Sequence, residues 1–203
     1  MQAATDFTGK LTAKKIGRPT APLSWRIRNW SRPAFIFGLA SNTLAKALTA
    51  FTGIPTLTSE LRALVIKATG EVVDYGVVDR RVVTTAFVNF MVDQLQTETA
   101  TWGDFKYHDS GVGVTGAAVG DTDMETTDGE SRATGSQEEG ASANIYKSIG
   151  TIAYTTTKAI TEHGLFNNTT GATLLDRHTF TAINVDNGDS IQFTYELTVS
   201  AGG

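Results

Sequence analysis

Three histidines, His108, His163 and His178, are the residues of this 203-residue chain best suited to acid–base chemistry, because imidazole titrates near neutral pH. Glu162 precedes His163, and Asp176 lies two residues before His178, so folding could bring together a carboxylate–histidine pair or a metal site. No motif spacing supports that step. The sequence has no GxSxG elbow, no HExxH and no P-loop. The run Gly111-Val112-Gly113-Val114-Thr115-Gly116 lacks the preceding strand and following helix that a dinucleotide site needs. Cysteine is absent, which excludes disulfides, thiol nucleophiles and zinc–thiolate centres. The histidines therefore read as strand-surface residues with hydrogen-bonded neighbours, and the chain as a non-enzyme without a cofactor.

A second constellation is acidic. Asp121, Asp123, Glu125, Asp128 and Glu130 alternate like the ligands of a calcium loop. Position six of that loop would be Thr126 instead of glycine, and position twelve is Arg132 instead of a bidentate glutamate. These acids read as a solvated loop, or as an acceptor for a basic segment of another copy.

Such a segment exists in the chain. The net charge of -4 divides unevenly: no acid stands between Asp6 and Glu60, while Lys10, Lys14, Lys15, Arg18, Arg26, Arg28, Arg32 and Lys46 do. That stretch carries about +8, everything from Glu60 onward, with nine basic against twenty acidic residues, about -11, and Asp6 supplies the last unit. Within it, Trp25-Arg26-Ile27-Arg28-Asn29-Trp30 alternates large and basic side chains as an extended strand would. Aromatic and basic interleaving also suits single-stranded nucleic acid, but the acidic remainder and a pI near 5.4 disfavour it.

Residues 1–56 read as an extended basic arm punctuated by Pro19, Pro22 and Pro33. A short helix over 41–51 has Ser41 as its cap and stops before Gly53 and Pro55. Residues 57–203 read as the body. Thr-Gly-Glu at 69–71 separates two β-branched runs, 61–68 and 72–78. Thr84 and Thr85 cap a helix bearing Phe87, Val88, Met91, Val92 and Leu95, and a strand is expected over 104–108. Four strand-like runs follow at 145–154, 158–166, 172–185 and 190–200, with turn clusters between them. In the last, Ile191, Phe193, Tyr195, Leu197 and Val199 share one face and Gln192, Thr194, Glu196 and Thr198 the other. With threonine at about one residue in six, this predicts an all-β fold, mainly an antiparallel, jelly-roll-like sandwich with one or two short helices. No apolar run reaches the ~20 residues of a membrane span, and the first residues lack the apolar stretch of a secretory signal.

Several stretches of the body resemble a family of small virion proteins of tailed bacteriophages. They are Glu60-Leu61-Arg62-Ala63-Leu64-Val65-Ile66, Asp79-Arg80-Arg81-Val82-Val83-Thr84-Thr85-Ala86, Phe105-Lys106-Tyr107-His108, Arg132-Ala133-Thr134-Gly135 and Ile160-Thr161-Glu162-His163-Gly164-Leu165-Phe166. Thr173-Leu174-Leu175-Asp176-Arg177, Ala182-Ile183-Asn184-Val185 and Gly188-Asp189-Ser190-Ile191-Gln192-Phe193-Thr194-Tyr195 carry it further, so that it covers about 57–203. The resemblance implies a capsid decoration, or cement, protein on the outside of the phage head, assembled in the host cytoplasm. Its partners would be the major capsid protein and other copies of itself, as a homotrimer. Neck, tail or fibre components, including a glycan-binding receptor module, are the alternative. On the decoration reading Trp25, Ile27 and Trp30 supply buried area to a neighbour, and Arg26, Arg28 and Arg32 pair with acidic patches.

Overall fold

The structure, a computed structural model, describes residues 19–52, 55–80, 83–97 and 104–200. The first eighteen residues of the expected arm, with Lys10, Lys14, Lys15 and Arg18, lie outside them, as do Gly53 and Arg81. In chain order the elements are α1 (Leu23–Trp30), α2 (Pro33–Thr52), β1 (Thr56–Ile66), β2 (Val72–Asp79), α3 (Thr85–Leu95) and β3 (Tyr107–Gly111). After them come β4 (Ala133–Thr134), β5 (Glu138–Glu139), β6 (Ile145–Ala153), β7 (Lys158–Phe166), β8 (Leu174–Val185) and β9 (Ser190–Ser200).

The strands form two antiparallel sheets, ordered β2-β1-β9-β6-β5 and β4-β3-β7-β8. This is the all-β sandwich that the alternating runs predict. Leu61, Ala63 and Val65 of β1 lie beside Tyr195, Phe193 and Ile191 of β9 in register, and all six are sealed from solvent. The facing sheet adds Ile160, Leu165, Ile183 and Val185, so an apolar cluster joins the two layers. Thr84 caps α3 as expected, its hydroxyl accepting from Phe87 N at 3.2 Å.

The N-terminal part differs from the expectation. Leu23–Trp30, expected to be extended, is an α-helix, and α2 begins at Pro33 where a start at Ser41 was expected. Proline suits the first helical position, since its missing N–H would be unpaired there anyway. The strand expected over 104–108 begins at Tyr107 and runs on to Gly111, and the two-residue strands β4 and β5 were not anticipated.

The reason α1 is helical lies in the sheet edges. An edge strand presents unpaired backbone groups that need partners. Sheet one ends on β2, and Pro19–Ala21 runs along it: Asp74 N donates to Pro19 O at 2.8 Å and Ala21 N to Asp74 O at 2.9 Å. Sheet two ends on β8, whose edge is closed by side chains. Thr84 Oγ1 donates to Leu174 O at 2.7 Å, Thr179 N donates to Asp79 Oδ2 at 3.2 Å, and Arg32 Nη1 donates to Thr179 O at 2.6 Å. Thr181 N donates to Asn29 Oδ1 at 2.9 Å, and Trp25 Nε1 donates to Ala182 O at 2.9 Å. Helical spacing sets Trp25 and Asn29 on one face of α1 at i and i+4, and Arg32, just past the end of the helix, continues the line along this edge. Asn29 Nδ2 also reaches Val78 O of β2 at 2.8 Å, so α1 bridges both sheets. The two remaining edges, β4 and β5, are each two residues long.

Candidate functional site

The chemistry-bearing residues form two clusters on opposite faces of the second sheet. Strand alternation divides them: Asp176 and His178 point between the sheets, and Arg177 points away. His163 stands opposite His178 in the β7–β8 register, and Glu162 belongs with Arg177. Glu162, His163, Asp176 and His178 therefore do not converge in one cleft.

The inner cluster is a polar line through the core. His108, His163 and His178 are sealed from solvent, as are Asp79 and Asp176. Ser148 Oγ donates to Ser136 O at 2.7 Å, so it must accept from His108 Nε2 at 2.8 Å. That leaves His108 Nδ1 bare to accept from His163 Nε2 at 2.9 Å, and His163 Nδ1 ends the chain as a lone pair with no hydrogen-bond partner. Both rings are neutral in this arrangement. Burial pushes His108 down to about 3, and burial with two histidine neighbours holds His163 well below its ordinary value.

His178 is the opposite case. Its ring nitrogens lie 3.4 Å from Asp79 Oδ2 and 3.3 Å from Asp176 Oδ2, longer than good hydrogen bonds but well within ion-pair range. Burial would push its pKa down, but Asp176 and Asp79 outweigh burial and raise it to about 9. Ser59 and Tyr195 both donate to Asp176 Oδ2, Tyr195 from 3.3 Å. The space this line occupies is set by glycine: a Cβ on Gly150 or Gly135 would strike the His108 ring.

The outer cluster pins the glycine-rich loop. Arg177 Nε meets Glu162 Oε2 at 2.7 Å, with Asp121 at 3.0 Å and Glu125 at 3.1 Å on its other nitrogens. Glu162 Oε1 accepts from Thr126 N at 2.8 Å and Gly113 N at 3.1 Å, and a Cβ on Gly113 would collide with that carboxylate. The glycines of the run thus let backbone approach a buried acid.

The five acids proposed as an acceptor for another copy's arm are engaged within the chain to different degrees. Asp121 and Glu125 hold Arg177, and Glu125 also accepts from Thr115 N at 2.7 Å. Asp128 accepts from Ser110 Oγ at 2.5 Å. Glu130 meets Lys158 at 2.6 Å, and that bond together with Thr155 holds its carboxyl down to about 2. Asp123 stays largely in solvent, with Arg132 at 3.6 Å. Among the described residues, no three histidines or carboxylates are placed to hold a metal ion together.

The six expected partner-binding residues also divide. Trp25 is buried, edge-on to Tyr75 with ring centroids 4.7 Å apart, and Arg32 serves β8. Ile27 and Trp30 are exposed, Arg28 faces solvent, and Arg26 is half-buried with its guanidinium 4.6 Å above the Trp30 ring. Sequence reasoning missed Asn29, Asp79, Ser59 and Arg177. Asn29 had a signal, its i+4 spacing from Trp25; Asp79 had a weaker one, as a lone acid ending an apolar run.

No family model, curated protein or solved structure matches the chain. Fold and site therefore define a class by architecture: a two-sheet β-sandwich with a helix plugging one open side and a sealed polar line in its interior.

Proposed function

We propose that the chain is a structural protein of a tailed-phage virion, a decoration subunit that binds the exterior of the head and stabilises the shell. The observation that carries this reading is an uncovered apolar helix surface beside an interior whose reactive groups are closed off. Ile36, Leu39 and Leu44 of α2 are exposed, Leu44 at 68%. Ile36 and Leu39 also line a cleft of about 430 Å³ with Trp30, Phe35, Val77 and Arg80. Contiguous exposed apolar surface of this kind is characteristic of interaction sites. The sequence resemblance over 57–203 points the same way. A ligand of the assembled shell adds its binding free energy to the work of opening it, so no catalysis is required.

Two measurements test the reading. Quantitative mass spectrometry of purified virions should give a copy number comparable to that of the major capsid protein; a handful of copies would assign the chain to the neck or tail instead. Purified full chain should co-sediment with undecorated heads, and Leu39→Asp should lose that binding while its circular dichroism is unchanged. Removing α1 and α2 outright is the poorer experiment, because it would uncover the β2 and β8 edges.

A further inference from the structure

We infer that α1 of one copy docks on α3 of a second copy, a helix-on-helix contact between two different faces of the same chain. It is a property of the isolated protein and is tested without the shell.

The inference rests on two matching exposed stripes. On α1, opposite the face that serves β8, Leu23, Ile27 and Trp30 recur at i, i+4 and i+7 and are exposed, Leu23 at 67% and Ile27 at 58%. On α3, beside the face that buries Phe87, the residues Val88, Val92 and Leu95 recur at the same spacing and are exposed, Leu95 at 78%. Each stripe spans two turns, about 10 Å at the rise of an α-helix. The side chains complement each other in bulk: α1 offers leucine, isoleucine and tryptophan, and α3 offers mainly valine, so ridges on one helix meet shallow ground on the other.

Charge selects the pairing. Arg26 and Arg28 flank the α1 stripe, and no acid occurs anywhere between Asp6 and Glu60. The sign is reversed on α3, which holds Asp93 and no cation. Pairing α1 with α1 would set arginines against arginines, and pairing α3 with α3 would set acid against acid. Only the mixed pair is favourable on both counts. Because the two faces differ, each copy can give α1 to one neighbour and receive α1 on its α3 from another, a head-to-tail arrangement that forms a ring where its rotation closes and a filament where it does not.

Sedimentation velocity of the full chain over a micromolar concentration series tests this. Wild-type protein should associate with rising concentration. Ile27→Glu and Val92→Lys should each weaken association more than about tenfold, the loss expected when a charge enters a hot spot. The double variant, Ile27→Glu with Val92→Lys, should recover association, because every contact then pairs the two new charges. Both substitutions fall on exposed positions, so circular dichroism and melting of all three variants should match wild type. A wild-type chain that stays monomeric overturns the inference. So does sensitivity to Ile27→Glu without sensitivity to Val92→Lys, or failure of the double variant to recover. Binding of monomeric wild type to anionic phosphatidylserine vesicles would assign the α1 stripe to a lipid surface and equally overturn it.

Discussion

His163 gives its one ring hydrogen to His108 and keeps a bare nitrogen in the core, so protonating it would create a buried, unpaired N–H beside two other imidazoles. This sets how stability depends on pH. For His108 and His163 the folded pKa is depressed, so the unfolded chain takes up two protons as pH falls below about 6.5 while the folded chain takes up none. Stability then declines by about 1.4 kcal/mol per pH unit for each ring. His178 works in the other direction. Raised to about 9 by Asp176 and Asp79 against burial, it stabilises fully below its unfolded value, and that contribution fades as pH climbs towards 9. Stability should therefore peak near pH 6.5, with an acid limb about twice as steep as the alkaline one. Urea midpoints from pH 5 to 9 check this above the range where carboxylates such as Glu130 titrate. A flat profile from 5 to 8 would mean that the histidines are not neutral and charged as assigned.

Helix α1 is part of the fold by its inner face and available to partners by its outer one. Trp25→Ala should cost about 3–5 kcal/mol, since it empties a buried aromatic position and leaves Ala182 O without its donor. Asn29→Ala should cost about 1–3 kcal/mol by orphaning Thr181 N and Val78 O. Ile27→Ala, on the exposed side, should stay within about 0.5 kcal/mol. Equilibrium denaturation of the three variants checks the ranking, and equal small losses would show that the helix detaches freely. Why α1 was not legible in the sequence follows from the same residues. Trp25-Arg26-Ile27-Arg28-Asn29-Trp30 satisfies a period of two, and Trp25, Asn29 and Arg32 satisfy a helical period equally well. The choice between them is made by the β8 edge, which lies about 150 residues away in sequence (Asn29 to Thr181). The strands β6 to β9 were legible as apolar and β-branched runs bounded by turn clusters, β9 most clearly because its burial alternates, and α3 because its cap and its apolar spacing agree.

At the scale of the whole molecule, the sequence shows a charge division and the structure shows how much of it is spent internally. Arg177, Arg132 and Lys158 engage acids of the 121–130 loop, so composition alone overstates what that loop holds free for a neighbour. The polar line through the core was invisible for a related reason. His108, His163 and His178 have no mutual spacing, and only the pairing of β3 with β7 and of β7 with β8 brings them into a row. The same topology has a consequence in time. Strand β9 lies between β1 and β6, with Ile66 and Ala153 both opposite Ser190, so the first sheet has no middle until that strand arrives. Contacts between such distant parts of a chain form only after long loops have closed, and all-β domains built this way fold in about milliseconds to seconds where helical bundles need microseconds. Stopped-flow refolding of this protein should fall in the slow range, and a microsecond phase that restores full near-ultraviolet dichroism would contradict the strand order.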